Sequence, residues 1–394
     1  MAKIACPYCY TRFAERQIEF RCAGHPGPHG TPCPSKRDDV MVRHTGRATP
    51  VPPAFKANGR QLRATCPGCR GETTYRICPY CHSHLPVHFG KVDSRLIAMI
   101  GAKQSGKTVF MTVLVHELMN EVGRRFDAAV VGSDDETRKR FARDYEHRLY
   151  AEKALFDTTK TAATRGGRVE PLVFRLTLRQ QRRLAQAREQ HTILSFFDTA
   201  GEDLVSQQSV DLNVRYLTSA DGIILLLDPL QMRGARAQAR PGTVLPAGAG
   251  AGFDTPVNVL SRVTDLLRSQ QTRRPSEKIS TPLAVTFSKI DALDHTFSPG
   301  SPLTRDAPEV RHFDTRDSLV VHAEIQALLH DWHGSQIDQI LQHDYATFRY
   351  FGLSALGDIP ASPNQVSDVP KPYRVQDPFL WLLSEFGTIP ATKV

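Results

Sequence analysis

Eight consecutive residues, Gly101-Ala102-Lys103-Gln104-Ser105-Gly106-Lys107-Thr108, fit the spacing G-x-x-x-x-G-K-[ST]. The chemistry this pattern serves is the cradling of phosphate. The glycines let the backbone turn tightly enough for successive N–H groups to face phosphate oxygens. Lys107 would reach the outer phosphates of a nucleotide, and the Thr108 hydroxyl would hold Mg2+. The pattern constrains four positions, so its setting decides its weight. Leu96-Ile97-Ala98-Met99-Ile100 before it reads as a strand, and Val109 to Val115 after it as a helix. Strand, loop and helix stand in the order such a site needs, and the helix adds its positive N-terminal end.

A second chemistry lies in the cysteines. All eight fall before residue 82: Cys6, Cys9, Cys22, Cys33, Cys66, Cys69, Cys78 and Cys81. Thiols in a reducing compartment favour metal over disulfides. Cys66-x2-Cys69-x8-Cys78-x2-Cys81 is compact, and two CxxC knuckles can close a tetrahedral Zn2+ site, so these four are expected to share one ion. Cys6-x2-Cys9 is the knuckle of a second Zn2+ site, completed by Cys22 and Cys33 or by His25 or His29 in place of one of them. His82, His84 and His88 read as surface or supporting residues. A closed four-thiolate site is structural. Residues 1–90 are expected to form a zinc-ribbon-like module that recognises protein or nucleic acid.

The 394 residues suffice for two or three domains. Apolar residues are 40% and charged residues 23%, as in ordinary globular chains, and no apolar run approaches the ~20 residues of a membrane span. Met1 to Cys6 lacks the apolar core of a signal peptide, so a cytoplasmic protein is expected. The net charge of +9 sits largely in Arg-rich segments such as 179–188 and 233–240. These arginines are dispersed without interleaved aromatics, which favours solvated faces; nucleic-acid binding through the zinc module is the competing reading.

From residue 91 to 394, strand and helix patterns alternate, which predicts an α/β domain with a doubly wound, mainly parallel sheet. Asp221 to Asp228 holds its most continuous apolar run, and Gln231 to Gly252, dominated by Arg, Ala, Gly and Pro, reads as a low-complexity loop. Three further motifs close strands. Asp198-Thr199-Ala200-Gly201-Glu202 offers a carboxylate, Asp198, for Mg2+ and a Gly201 N–H for a γ-phosphate. The other two are Ser288-Lys289-Ile290-Asp291 and Ser354-Ala355-Leu356.

Taken together, the four motifs resemble those of the Ras-like, TRAFAC-class P-loop GTPases, over about residues 93–390. The zinc-ribbon N-terminus, the insertions and Asp198-Thr199-Ala200-Gly201-Glu202-Asp203 are similar to the bacterial double-GTPase type. The resemblance implies a site that binds GTP/GDP with Mg2+, contacted by Gly101 to Val109, Gly201, Ser288, Lys289, Asp291, Ser354, Ala355 and Leu356. In that site the Asp291 carboxylate would accept from guanine N1–H and N2, the Lys289 stem would lie over the base, and the Ala355 N–H would donate to guanine O6. Mg2+ would be held by Thr108, Asp198 and a switch threonine, with Thr161 or Thr159 favoured among Thr158, Thr159, Thr161 and Thr164. It also implies a multi-component bacterial system with a protein partner or a second GTPase domain. Three departures bear on catalysis. Ser288 stands for the usual Asn or Thr. Glu202 stands for the glutamine that orients water, and an ionised glutamate cannot donate a hydrogen bond. Lys103 and Gln104 are polar where small residues are usual. Hydrolysis is therefore expected to be slow, with Lys107, Glu202, Lys103 and Gln104 as the catalytic candidates. A nucleotide-holding scaffold of little hydrolytic activity is the alternative.

Overall fold

The computed structural model describes residues 3–46, 48–86, 88–91, 94–102, 104–156, 171–180, 188–196, 214–246, 255–269, 277–362 and 364–392. One seven-stranded mixed sheet dominates it. Its strands are β1 (Ser94–Gly101), β2 (Ala128–Gly132), β3 (Leu172–Gln180), β4 (Arg188–Phe196), β5 (Gly222–Leu227), β6 (Leu283–Phe287) and β7 (Phe348–Gly352), in the order β7-β6-β5-β1-β4-β3-β2. The five strands from β7 to β4 are parallel, whereas β3 runs antiparallel to both β4 and β2. The expected mainly parallel sheet is present, with an antiparallel edge.

All six residues of β5 are buried, because helices cover both faces of the sheet. Successive side chains point to opposite faces. Ile223, Leu225 and Leu227 pack with α2 (Pro256–Ser269), α3 (Thr315–Asp331) and α4 (Ser335–Asp344). Ile224 and Leu226 join the opposite cluster, with α1 (Lys107–Glu117) and α5 (Asp377–Glu385). α1 is apolar nearly all round, with Phe110 to Val115 buried, and it continues through a π-helical turn, Leu118–Val122, into Gly123–Phe126. The register sets the strand ends level: Leu226 lies beside Gly101, and Leu227, Phe287 and Gly352 lie abreast.

The N-terminal part has much shorter elements. Lys3–Ala5 with Arg12–Ala14 and Ala64–Thr65 with Glu72–Thr73 are small hairpins that present the knuckles Cys6–Cys9 and Cys66–Cys69. Glu19–Arg21 forms the middle of a three-stranded sheet, between Ala54–Phe55 and Arg76–Ile77.

The thiol grouping differs from the expected one. Cys6, Cys9, Cys78 and Cys81 form one group, and Cys22, Cys33, Cys66 and Cys69 the other; within each group the sulfurs lie within 4.8 Å of one another. Cys66–Cys69 and Cys78–Cys81 do not share a site. Antiparallel pairing of Glu19–Arg21 with Arg76–Ile77 carries Cys22 and Cys78 to opposite ends of the pair. The eight residues between the two later knuckles are spent on the return strand Glu72–Thr73 and on Arg76–Ile77, which holds those knuckles apart. Neither His25 nor His29 belongs to a group, and Cys33 completes the second one.

Candidate functional site

The level ends of β1, β5, β6 and β7 position the site. After β1 the chain turns through Ala102 to Gly106 into α1. Gly101 is required by close approach, since a Cβ there would stand 2.3 Å from the Leu226 carbonyl oxygen of β5. Gly106 caps α1 with φ +80°, a left-handed conformation that favours glycine. Gln104 takes φ 63° and is exposed. Ser105 is fully buried, and its hydroxyl donates to the Ala102 carbonyl at 2.8 Å. Lys107 Nζ donates to the carbonyls of Gly101 and Ala102, each at 2.9 Å, so its ammonium lies over the loop. Thr108 is the second residue of α1, and Val109 follows it in the first turn.

Ser288 leaves β6 and ties it to this loop. Its hydroxyl lies 2.9 Å from the Ser105 carbonyl and 3.2 Å from that of Leu227. The brace that an Asn or Thr would supply is thus made by a shorter side chain. Lys289 takes φ 54° and turns its ammonium onto the Gln104 carbonyl at 2.7 Å and the Asp228 carboxylate at 2.6 Å. Asp228 had no role in the sequence reading. It closes β5, is fully buried, and also accepts from the Leu230 N–H at 2.9 Å. The one available signal was an acidic residue directly after the most apolar strand.

Asp291 sits in a short turn, Ile290–Ala292, at 6% exposure. Burial pushes its carboxyl up from the ordinary value, while the Ser354 hydroxyl, its own N–H, Arg240 and Lys289 pull it back. Ser354, after β7, is fully buried and accepts the Gly357 N–H at 2.8 Å. The Leu353 N–H donates to Phe287 and the Ile290 N–H to Leu353, which locks the two motif loops together.

These pieces surround a cavity of about 190 Å3 lined by Gly106, Val109, Ser288, Lys289, Asp291, Ala355 and Leu356. Residues absent from the sequence reading complete it, among them Leu155, Leu230, Thr243, Val244 and Ile359. Thr243 and Val244 belong to the stretch read as a low-complexity loop. That stretch instead holds a short helix, Arg233–Ala237, with Ala235 fully buried, and its described part runs to Pro246. Lys103, Asp198, Gly201, Glu202 and the threonines at 158, 159, 161 and 164 lie outside the described residues.

The thiol groups suit metal by their geometry. Sulfur pairs lie 3.8 Å apart for Cys6–Cys81, Cys9–Cys78 and Cys33–Cys66, and 3.5 Å for Cys22–Cys69. A disulfide needs about 2.05 Å. A tetrahedron of Zn–S bonds of about 2.3 Å has edges of about 3.8 Å. In the first group, hydrogen bonds from Cys6 and Cys78 hold the Cys9 thiol far below its usual range, and burial drives Cys78 far above it.

The first group is seated on the large sheet. Cys6, Cys9, Cys78 and Cys81 pack with Phe13, Phe89, Val173 of β3 and Ile193 of β4. Tyr10 Oη lies 3.0 Å from Ser195 Oγ, which donates to the Pro7 carbonyl at 2.9 Å. Tyr8 Oη donates to Asp134 at 2.7 Å, and Ser219 Oγ to the Tyr10 carbonyl at 2.8 Å.

A phosphate-type loop on β1, with two base-side loops level with it on β6 and β7 of a mixed α/β sheet, defines a P-loop GTPase fold. The family model Double-GTPase 2 matches residues 95–349, and the chain belongs to that family. It is 27% identical over 411 residues to a Mycolicibacterium smegmatis protein named "Putative ESX-1 scaffolding and assembly protein SaeC", a match covering 98% of this chain and 99% of that relative. Similar solved structures include the Saccharomyces cerevisiae Ski7 GTPase-like domain bound to GTP, with 12% identity, TM-score 0.32, and coverage of 67% of this chain and 43% of that one. The Trypanosoma brucei Arl6 BBS3 small GTPase with a nucleotide analogue has 14% identity, TM-score 0.29, and coverage of 75% and 98%. This chain thus spans less than half of the Ski7 chain. No described helix is long and apolar enough to cross a membrane.

Proposed function

We propose that this chain binds guanine nucleotide and acts as a nucleotide-controlled switch or scaffold in a multi-component bacterial assembly. The cavity that gathers Gly106, Lys289, Asp291 and Ala355 carries the reading. The Asp291 carboxylate suits the N1–H and N2 donors of guanine, and adenine would leave it buried and unpaired. The Ala355 N–H would donate to guanine O6. The loop N–H groups and Lys107 would hold the phosphates. Thr108, Asp198 and a switch threonine, Thr161 by preference, would hold Mg2+, which supplies charge neutralisation at the phosphates.

Hydrolysis is proposed to be slow or dependent on a partner. Phosphoryl transfer rests on positioning and charge stabilisation, and Glu202 cannot donate to water when ionised. Lys103 or Gln104 would assist in its place. The scaffolding and assembly named for the Mycolicibacterium relative suggests a protein partner, which could be a second GTPase chain, and a cytoplasmic location fits that role. The two four-cysteine groups would each take one Zn2+ as a structural ion.

Calorimetry with GTP, GDP and ATP tests the binding reading, with guanine nucleotides expected to bind at least ~100-fold tighter than ATP. A preference for ATP overturns it. Single-turnover hydrolysis by Lys103→Ala and Gln104→Ala tests the catalytic part; unchanged rates in both remove those residues from it.

A further inference from the structure

The base side of the cavity has two expected walls, the loops after β6 and β7. It also has a third, formed by the turn Arg240–Val244. Arg240 joins this turn to both loops. Its N–H donates to the Ala292 carbonyl at 2.8 Å, directly after Asp291. Its guanidinium lies 3.5 Å from Asp294 on the β6 side and bonds Asp358 on the β7 side, three residues beyond Ala355. The Thr243 N–H closes the turn on the Arg240 carbonyl at 3.1 Å, and Thr243 and Val244 then line the cavity. Thr243 Oγ1 is shut off from solvent and has no hydrogen-bond partner among the described residues. A buried hydroxyl without a partner is costly, and because Thr243 lines the cavity, rotation of its side chain would turn the hydroxyl to an occupant and relieve that cost.

We propose that the Arg240–Val244 turn is a third nucleoside-reading element, in which Arg240 positions the two motif loops and Thr243 offers its hydroxyl to the bound nucleoside. This rests on the guanine-nucleotide reading above. A hydroxyl can donate or accept, so it suits the polar edge of a purine or its sugar. Arg240 also places positive charge near the Asp291 carboxylate, which favours its ionised, accepting form.

The test is calorimetry of GDP and IDP on the full chain, with thermal melting of the same proteins without nucleotide. IDP lacks only the N2 amino group. For Thr243→Val, which keeps the shape and removes the hydroxyl, GDP affinity is expected to fall about five- to tenfold with the ligand-free melting temperature unchanged or raised. Thr243→Ser should retain most of the affinity. For Arg240→Gln, the GDP-over-IDP preference is expected to narrow at least threefold, and the acid limb of GDP binding to move to higher pH. A variant that only loosened the fold would weaken both ligands equally and leave that limb in place. Wild-type GDP affinity in Thr243→Val, or an unaltered preference and pH profile in Arg240→Gln, overturns the proposal while leaving the guanine reading intact. A wild-type chain that binds neither GDP nor IDP overturns both.

Discussion

At the candidate nucleotide site, the polar side chains stand on the ends of long strands whose buried apolar residues fix where those ends lie. In residues 1–90 the described strands are two or three residues long, and six of the eight thiols stand in the turns Cys6–Cys9, Cys66–Cys69 and Cys78–Cys81. The first region would persist without its ligand, because the clusters on both sheet faces are large and continuous. The second differs even between its own halves. Cys6, Cys9, Cys78 and Cys81 share a cluster with Phe13, Ile18, Leu85 and Phe89 and rest on Val173 and Ile193. Cys22, Cys33, Cys66 and Cys69 have Phe55 as their apolar neighbour within their cluster. Burying one such side chain contributes about 1.5–3 kcal/mol, whereas structural Zn2+ in a small module is worth roughly 10–16 kcal/mol. The group of Cys22, Cys33, Cys66 and Cys69, the outer one, would therefore depend on Zn2+, and the inner group, seated on the sheet, on Zn2+ and on the sheet beneath it.

The largest expected effect would break this contrast at the inner thiols. Cys78→Ser should lower bound zinc from two ions to one or none and reduce the melting temperature by about 10 °C or more, because both the metal and the packing on β3 and β4 are disturbed. Cys66→Ser should remove the outer ion with a smaller shift, leaving nucleotide binding within about twofold. Metal analysis and melting curves read both variants, and equal shifts would remove the distinction between the groups.

Next in size is Lys107→Ala, which should weaken GDP binding at least ~100-fold with zinc content unchanged, as measured by calorimetry and metal analysis. A parallel loss of zinc would show the two regions to be one unit.

A pH series follows. Burial raises the Asp291 carboxyl above its unfolded value of about 4, so its proton leaves the folded protein later than the unfolded chain. Ionising Asp291 thus costs ligand-free stability as pH rises from the unfolded value through the raised one. Guanine binding runs the other way, since it needs the carboxylate: GDP affinity should fall as pH drops through the raised value. Asp291→Asn should abolish that limb in a calorimetric pH series.

The smallest effect is expected at Ser288→Ala. Its hydroxyl braces the Ser105 and Leu227 carbonyls, and a net hydrogen bond of about 1 kcal/mol predicts roughly fivefold weaker GDP binding with little change in melting. A loss near that of Lys107→Ala would make the brace a principal part of the phosphate site.

Much of this was legible in the residue order. The run Gly222–Leu227 announced a strand covered on both faces, and Gly101 to Thr108 announced a tight loop entering a helix. Ser288, Lys289, Asp291 and Ala355 could be chosen because each follows an apolar strand in a spacing that chemistry explains. Arg240 and Thr243 could not. Their segment is poor in periodic apolar residues, and its place depends on Ala235 entering the core and on Arg240 meeting carboxylates more than fifty residues away. The thiol pairing failed for a related reason. Eight spacer residues look like a short link in one dimension, but a return strand and a sheet strand consume them.

The sequence by itself determined the chemistry present: a phosphate loop, a buried carboxylate after a strand, and eight thiols, six of them in CxxC pairs. These are local patterns, written within a few residues by glycine conformation, apolar run length and knuckle spacing. Tertiary structure alone decided which thiols lie together and what closes the cavity beside Asp291, as well as the seating of the first thiol group on β3 and β4. Those outcomes depend on the antiparallel pairing of Glu19–Arg21 with Arg76–Ile77 and on contacts between residues far apart in the chain, whose partners become neighbours only once the sheet has formed.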